Sequence, residues 1–203
     1  MKRRKPKGNR WADHYTHRAR KEKYPARSVY KLKQIQERYR ILKKGQRILD
    51  LGCAPGSWLL YAAQVAGTRG SVIGIDLKPV SGIFPSQVTV YAGDVLERTQ
   101  APWTDFKADF QVVLSDMAPA TTGRREVDAA RSFDLARAAL EVAQAYLVQG
   151  GALVCKIFEG QDVNQYTQMI GDSFRMQKRF RPAATRKASS EVYIIATGKI
   201  NSD

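Results

Sequence analysis

The sequence has few of the residues that build metal centres and disulfide frameworks. Its 203 residues include only two cysteines and two histidines. Cys53 and Cys155 lie about a hundred residues apart in apolar stretches, without CxxC spacing, so we expect buried thiols in a reducing compartment. His14 and His17 have HxxH spacing without a cysteine or acidic cluster beside them, so we predict no metal site.

Long apolar runs are also missing. No stretch approaches the roughly 18 apolar residues of a membrane span, and the basic N-terminus is followed by polar residues instead of the apolar core of a signal peptide. We therefore expect a cytoplasmic protein that has no membrane partner. No feature of the sequence indicates an obligate protein partner.

Acidic residues are scarce at the beginning of the chain. The whole chain has 34 Lys and Arg against 19 Asp and Glu, and residues 1–44 contain 17 of the former and 3 of the latter. This asymmetry predicts a basic, flexible arm for a polyanion over residues 1–24, followed by one domain over residues 25–203. A second basic cluster runs from Arg175 to Lys187. The alternatives are a solvated face that gives solubility and, less favoured, contact with an anionic membrane.

Strand-like and helix-like segments alternate through the rest of the chain. Strands are predicted at 47–51, 72–76, 88–91, 110–115, 152–157, 176–180 and 192–196, and helices at 28–39, 57–65, 127–147 and 163–170. The central strands, such as ILDL and ALVCKIF, are continuous apolar runs. Such runs are typical of a mostly parallel sheet that helices cover on both faces, so we predict a Rossmann-like α/β fold with seven strands.

The stretch DLGCAPGSW forms the corner between the first predicted strand and its helix, where open α/β sheets bind nucleotides. Gly52 and Gly56 do not match the GxGxxG or GxxxxGK[ST] motifs that cradle phosphates. Three later strands end in Asp76, Asp94 and Asp116. The first of these acids suits ribose hydroxyls and the second an adenine amine. S-adenosylmethionine, an adenosine without phosphates, therefore fits the corner better than NAD does.

Lys156 occupies an otherwise apolar strand, where a lysine is seldom tolerated unless it is paired. Asp116 ends the fourth predicted strand and Glu191 opens the last one. We expect these three side chains to converge at one edge of the sheet, with the helix around Lys31 beside them.

Five segments, SVYKL, DLGCAPGSW, LSDMAP, CKIFEG and SSEVY, closely resemble the FtsJ/RrmJ family of S-adenosylmethionine-dependent RNA ribose 2'-O-methyltransferases. The resemblance covers about residues 20 to 198 in order, and it implies the methyltransferase form of the Rossmann-like fold. The implied catalytic tetrad is Lys31, Asp116, Lys156 and Glu191. The implied cofactor positions are Gly56, Trp58, Asp76, Asp94 and Asp116. Cys53 and Ser57 depart from the expected glycine or alanine but remain small, and core packing is the alternative role for Trp58.

The resemblance implies RNA as the partner, bound in part by the basic arm over residues 1–24. The RNA is specifically ribosomal RNA or the large ribosomal subunit, with a 23S uridine as the target. Transfer RNA is the alternative within the family. A non-catalytic ribosome assembly factor on the same fold is a second alternative, although the tetrad is complete. A base methyltransferase is disfavoured because the sequence after the fourth strand is DMAP, where such enzymes typically carry [DN]PP[YF].

A ribose hydroxyl is a weak nucleophile at neutral pH, so its methylation needs alignment and an acceptor for its proton. The resemblance implies Lys156 for this role. Burial and the nearby cation Lys31 favour a neutral amine, whereas Asp116 and Glu191 favour a charged one. The sequence leaves open whether Lys156 is a general base or a cation that orients the hydroxyl.

Overall fold

The structure, a computed structural model, describes residues 10–200, with side chains described from His14 onward. One seven-stranded sheet runs through it. The strands are β1 (Arg47–Leu51), β2 (Ser71–Asp76), β3 (Val88–Ala92), β4 (Phe110–Ser115), β5 (Leu147–Phe158), β6 (Phe174–Phe180) and β7 (Glu191–Lys199). The helices are α1 (Arg10–Lys21), α2 (Val29–Tyr39), α3 (Ser57–Ala66), α4 (Arg125–Tyr146) and α5 (Val163–Gly171). Within residues 10–200, no helix combines the length and the apolar character needed to cross a bilayer.

The strands lie in the order β3-β2-β1-β4-β5-β7-β6. The first five pair in parallel, whereas β7 is antiparallel to both β5 and β6. Because β7 runs backwards, its first residue, Glu191, lies opposite Phe158 at the end of β5, and Tyr193 lies opposite Lys156. The beginning of β7 therefore stands at the same edge of the sheet as the carboxyl ends of the parallel strands.

Both faces of the sheet are covered, which explains the continuous apolar runs. One core cluster joins strand residues such as Cys155 to Leu140 of α4 and Tyr166 of α5. The other joins neighbouring strand residues such as Val154 to Leu32 of α2 and Leu59 of α3. Successive side chains of a strand point to opposite faces, so a strand buried on both faces needs apolar residues throughout. The predicted mostly parallel, Rossmann-like fold is confirmed.

The beginning of the chain differs from its sequence-based description. Residues 1–9 of the predicted flexible arm lie outside the described residues, but Arg10–Lys21 form α1. Tyr15 and Ala19, one turn apart, are 8% and 2% exposed and belong to a cluster with Val29, Tyr30 and Ala184. Two packed side chains thus fix a helix whose average composition is polar. The boundary at residue 24 and the binding of RNA by this segment stay predictions.

Candidate active site

The corner between β1 and α3 requires glycine at two positions. Gly52 and Gly56 have φ angles of +71° and +101°, in the left-handed region that favours glycine. A Cβ atom on Gly52 would lie 2.6 Å from the Met117 side chain, and one on Gly56 would lie 2.7 Å from the ring of Phe84. The amide of Gly52 also donates a 2.8 Å hydrogen bond to the carbonyl of Ile75. The corner is thus packed tightly against the segment after β4 and against the connection between β2 and β3.

A cavity of about 540 Å³ opens beside this corner. Its lining includes Gly52 and the predicted acids Asp76, Asp94 and Asp116, together with apolar side chains. Asp76 accepts hydrogen bonds from the amides of Ala54 (2.9 Å) and Lys78 (2.8 Å). These bonds fix the carboxylate at the cavity wall and leave it lone pairs for ligand hydroxyls.

The residues of the cavity fit S-adenosylmethionine. The three carboxylates outnumber Lys78, the single lysine or arginine among the residues described as lining the cavity. That balance suits a hydroxyl-rich, cationic ligand and disfavours one that carries phosphates. The exposed side chains of Leu77 and Leu96 add apolar surface at the same place.

Asp50 is a further acid near the corner, two residues before Gly52. It is fully buried in β1, and neither carboxyl oxygen has a hydrogen-bond partner within the described part of the chain. Burial raises its pKa well above the ordinary value, and the negative charges of Asp116 and Asp76 raise it further. An orphaned buried carboxyl is costly to keep, and a cationic end of the cofactor would offset that cost.

Two of the predicted cofactor positions are not among the residues that line this cavity. Trp58 is 3% exposed, donates a 2.9 Å hydrogen bond to the carbonyl of Ser28 and packs against the ring of Tyr193. These contacts are those of a core residue. Gly56 serves the turn and the packing of Phe84. The cofactor contacts assigned to Gly56, Trp58, Asp76, Asp94 and Asp116 stay predictions.

The four residues of the predicted tetrad come together at the edge of the sheet. The Nζ atom of Lys156 lies 3.1 Å from Oδ1 of Asp116 and also donates a hydrogen bond to the Asp116 carbonyl. The Nζ atom of Lys31 lies 2.5 Å from Oε2 of Glu191 and 4.0 Å from Oδ1 of Asp116. Two lysine side chains and two acidic side chains therefore alternate in one cluster. Their catalytic roles stay predictions.

Pairing explains how the cluster tolerates burial. Lys156 is 5% exposed, and an unpaired charge there would be strongly unfavourable. Burial pushes the pKa of Asp116 upward, but the charges of Lys156 and Lys31 and a hydrogen bond from Tyr193 outweigh it, so this pKa lies below its ordinary value. Asp116 is thus held as a carboxylate between two cations.

Tyr193 is the residue of this cluster that sequence reasoning missed. Its hydroxyl donates a 2.6 Å hydrogen bond to Oδ1 of Asp116. Burial raises the pKa of Tyr193 well above its ordinary value, and the charge of Asp116 adds to this. Residues two apart on a strand share a face. Because Tyr193 comes two residues after Glu191, the sequence could have predicted that its side chain lies on the same face as that of Glu191.

Together, the fold and the site define a class of protein. A mostly parallel seven-stranded sheet with a reversed β7, and an acid-lined cavity at its carboxyl edge, describe a Rossmann-like methyltransferase. The family model described as FtsJ-like methyltransferase matches residues 24–199. The chain belongs to this family.

Known proteins similar to the chain agree with that assignment. A protein of Desulforapulum autotrophicum named ribosomal RNA large subunit methyltransferase E is 52% identical over 195 residues, which are 96% of each chain. A protein of the same name from Desulfatibacillum aliphaticivorans is 47% identical over 98% of this chain and 96% of its own. A crystal structure described as a ribosomal RNA methyltransferase of Plasmodium falciparum aligns with a TM-score of 0.77 and 25% identity, over 88% of this chain and all of that one.

Proposed function

We propose that this chain transfers a methyl group from S-adenosylmethionine to the ribose 2'-hydroxyl of a uridine in 23S ribosomal RNA. The position of Asp116 carries the proposal. Asp116 lines the cofactor-sized cavity, and its carboxylate lies 3.1 Å from Lys156, so the methyl donor and the cluster of charges would meet at one residue. The names of the similar bacterial proteins support the ribosomal substrate.

The residues of the cavity would hold the cofactor by its adenosine. Asp76 would accept hydrogen bonds from the ribose hydroxyls, and Asp94 would accept one from the adenine amine. The cofactor, when bound, supplies an electrophilic methyl carbon on a sulfonium centre. Asp116 belongs to both the cavity and the tetrad, so it would keep that end of the site negative beside the two lysines.

Lys156 would hold the acceptor hydroxyl. A hydroxyl that donates to a neutral amine would be activated as a nucleophile, whereas one that accepts from an ammonium would only be oriented. The hydrogen bond of Lys156 to the Asp116 carbonyl limits the directions in which its Nζ atom can point. Lys31 and Glu191, joined at 2.5 Å, would fix the opposite side of the hydroxyl's position.

Only RNA presents a 2'-hydroxyl, so the proposed chemistry selects RNA over DNA. The basic N-terminal segment would add phosphate contacts that weaken as salt increases. A substrate in the large ribosomal subunit implies that the enzyme acts in the cytoplasm.

Labelling and mapping test the proposal directly. The full chain is incubated with S-adenosylmethionine carrying a tritiated methyl group, and with unmodified large ribosomal subunits or transfer RNA. Nuclease digestion and mass spectrometry then locate the methyl group. We expect 2'-O-methyluridine in 23S RNA. Label on a base, label in transfer RNA alone, or RNA binding without label would each contradict the proposal.

Two lysine variants provide the matched control. Lys156→Ala is expected to lower kcat about 10²- to 10⁴-fold, the usual contribution of a positioned proton acceptor. Lys107→Ala removes the same charge just before β4, at the opposite edge of the sheet, and should retain activity. Equal activity of the two variants would remove Lys156 from the mechanism.

A further inference from the structure

A second, larger cavity adjoins the tetrad at Glu191, and it shares no lining residue with the cofactor-sized one. Its volume is about 780 Å³, and Glu191 forms part of its wall. The segment before and at the beginning of α4 supplies one side, including Thr121 and Arg125. The connection between β6 and β7 supplies the other, including Lys187 and Ser189. A ligand in this cavity would therefore lie next to an acceptor held by Lys31 and Lys156.

The three acids of this cavity are already engaged. Asp128 accepts hydrogen bonds from the amides of Thr122 (2.7 Å) and Gly123 (3.1 Å). Glu159 forms an ion pair with Arg179, and Glu191 forms the 2.5 Å pair with Lys31. Two of the acids are thus ion-paired and the third is hydrogen-bonded to backbone amides, so their carboxylates are already engaged when an anion enters.

The cations of the cavity fall into two kinds. The guanidinium of Arg181 donates to the carbonyls of Ser189 (2.5 Å), Glu191 (3.3 Å) and Arg186 (3.4 Å), so it braces the cavity wall. Arg125 and Lys187 are exposed, and neither has a hydrogen-bond or ion-pair partner among the residues that the structure describes. These two cations line the same cavity from different segments and remain available to a ligand.

We propose that this cavity binds a nucleotide of the RNA next to the acceptor, with Arg125 and Lys187 contacting its phosphate. The inference rests on the proposed RNA 2'-O-methylation and adds a binding subsite to it. Arginine and lysine are the usual partners of backbone phosphates, which fix the register of a nucleic acid on a protein. Phe158, which lies opposite Glu191 in the sheet and lines the cavity, offers a ring on which a base can stack.

Steady-state kinetics of charge-removing variants test this subsite. The single variants Arg125→Gln and Lys187→Gln and the double variant are assayed on unmodified large ribosomal subunits. The double variant is expected to raise the KM for RNA about 5- to 30-fold, the effect of losing one or two charged contacts. It should leave kcat and the binding of S-adenosylhomocysteine unchanged. The slope of the logarithm of the RNA-binding constant against the logarithm of the salt concentration should decrease in magnitude by about one for each charged residue removed.

Arg137→Gln is the matched control, because Arg137 is an exposed arginine of the same helix that pairs with Glu141. It should leave the KM and the salt slope unchanged, and Lys187→Arg should keep the wild-type KM. A double variant that matches Arg137→Gln in its KM and in its salt slope overturns the subsite, as does a fall in kcat at constant KM.

Filter binding to the same subunits separates the two proposals. If the wild-type chain binds RNA but does not methylate it, the proposed function fails, while weaker binding by the double variant still supports the subsite.

Discussion

The hydroxyl of Tyr193 and the ammonium of Lys156 converge on a single atom, Oδ1 of Asp116. The first lies 2.6 Å from it and the second 3.1 Å. Lys156 and Tyr193 are direct partners in the antiparallel β5–β7 register, so the two strands present both donors to the acid at once. The orientation of Asp116 is therefore set by the pairing of strands as well as by charge.

Replacing Tyr193 with phenylalanine is expected to weaken this arrangement without changing the fold. The variant loses one hydrogen bond, which corresponds to about 1 kcal/mol in the free energy of unfolding. The pKa of Asp116 lies below its ordinary value, so its stabilisation is present above the unfolded-state pKa of about 3.9 and is lost as the pH falls through the folded-state pKa. The phenol contributes to that shift, so the stability difference between the proteins should narrow below about pH 4. Chemical denaturation between pH 7 and pH 3 measures the difference in the free energy of unfolding between the variant and the wild type. A difference that does not change with pH would contradict the coupling between Tyr193 and Asp116.

Arg181→Ala is expected to loosen the connection that leads into β7. The variant removes the donors to the carbonyls of Arg186, Ser189 and Glu191. A displacement of about 1 Å at a catalytic group can cost about 10²-fold in rate, so we expect kcat/KM to fall about 10- to 100-fold.

Hydrogen exchange should show faster exchange of the amides between residues 182 and 190 in Arg181→Ala. The control is Arg179→Ala, which removes an arginine that forms a surface ion pair with Glu159. If Arg181→Ala exchanges these amides as slowly as the control does, the guanidinium does not hold the connection.

Asp50→Asn is expected to stabilise the protein at neutral pH while weakening cofactor binding. Burial raises the pKa of Asp50 in the folded protein. The contribution of Asp50 to the free energy of unfolding is therefore fully present below the unfolded-state pKa of about 3.9, and it is lost as the pH rises toward the folded-state pKa. Asparagine does not titrate. The stability advantage of the variant should therefore grow with pH from about 4 upward, by at most about 1.4 kcal/mol per pH unit. Thermal unfolding at pH 5 and pH 8 checks this, and a smaller advantage at pH 8 would show that Asp50 has a partner.

Glu22→Gln is expected to weaken the attachment of α1 to α2. Glu22 forms a 2.6 Å ion pair with Lys33, which is the main reason why the pKa of Glu22 is lowered to about 2. Burial raises this pKa and a second pair, with Arg18, lowers it further. Its stabilisation, about 1 kcal/mol for such a pair, should be present above pH 4.5 and lost as the pH falls toward about 2. Denaturation curves of this variant should therefore lose stability at pH 7 and converge on wild type in acid. Glu37→Gln, an exposed acid of α2, is the control.

Sequence reasoning predicted the sheet well because burial on both faces leaves a strong apolar signal. It placed Lys156 beside Asp116 because a lysine in an apolar strand needs a partner. It missed α1, whose helix is fixed by the packing of Tyr15 and Ala19 on another helix and not by its own composition. It gave Trp58 two alternative roles, a cofactor contact by resemblance and core packing. The buried hydrogen bond of Trp58 to Ser28 is a core contact that depends on how α3 packs on α2, and the cofactor contact stays a prediction.

The reversal of β7 divides the edge of the sheet into two parts. The cofactor-sized cavity is built on the parallel strands, whose ends are fixed by the core on both faces. Glu191 arrives from the opposite direction, after a connection that spans residues 181–190 and buries Ala184 and Thr185. No residue of that connection lines the cofactor-sized cavity, so substitutions within residues 181–190 leave the lining of this cavity unaltered.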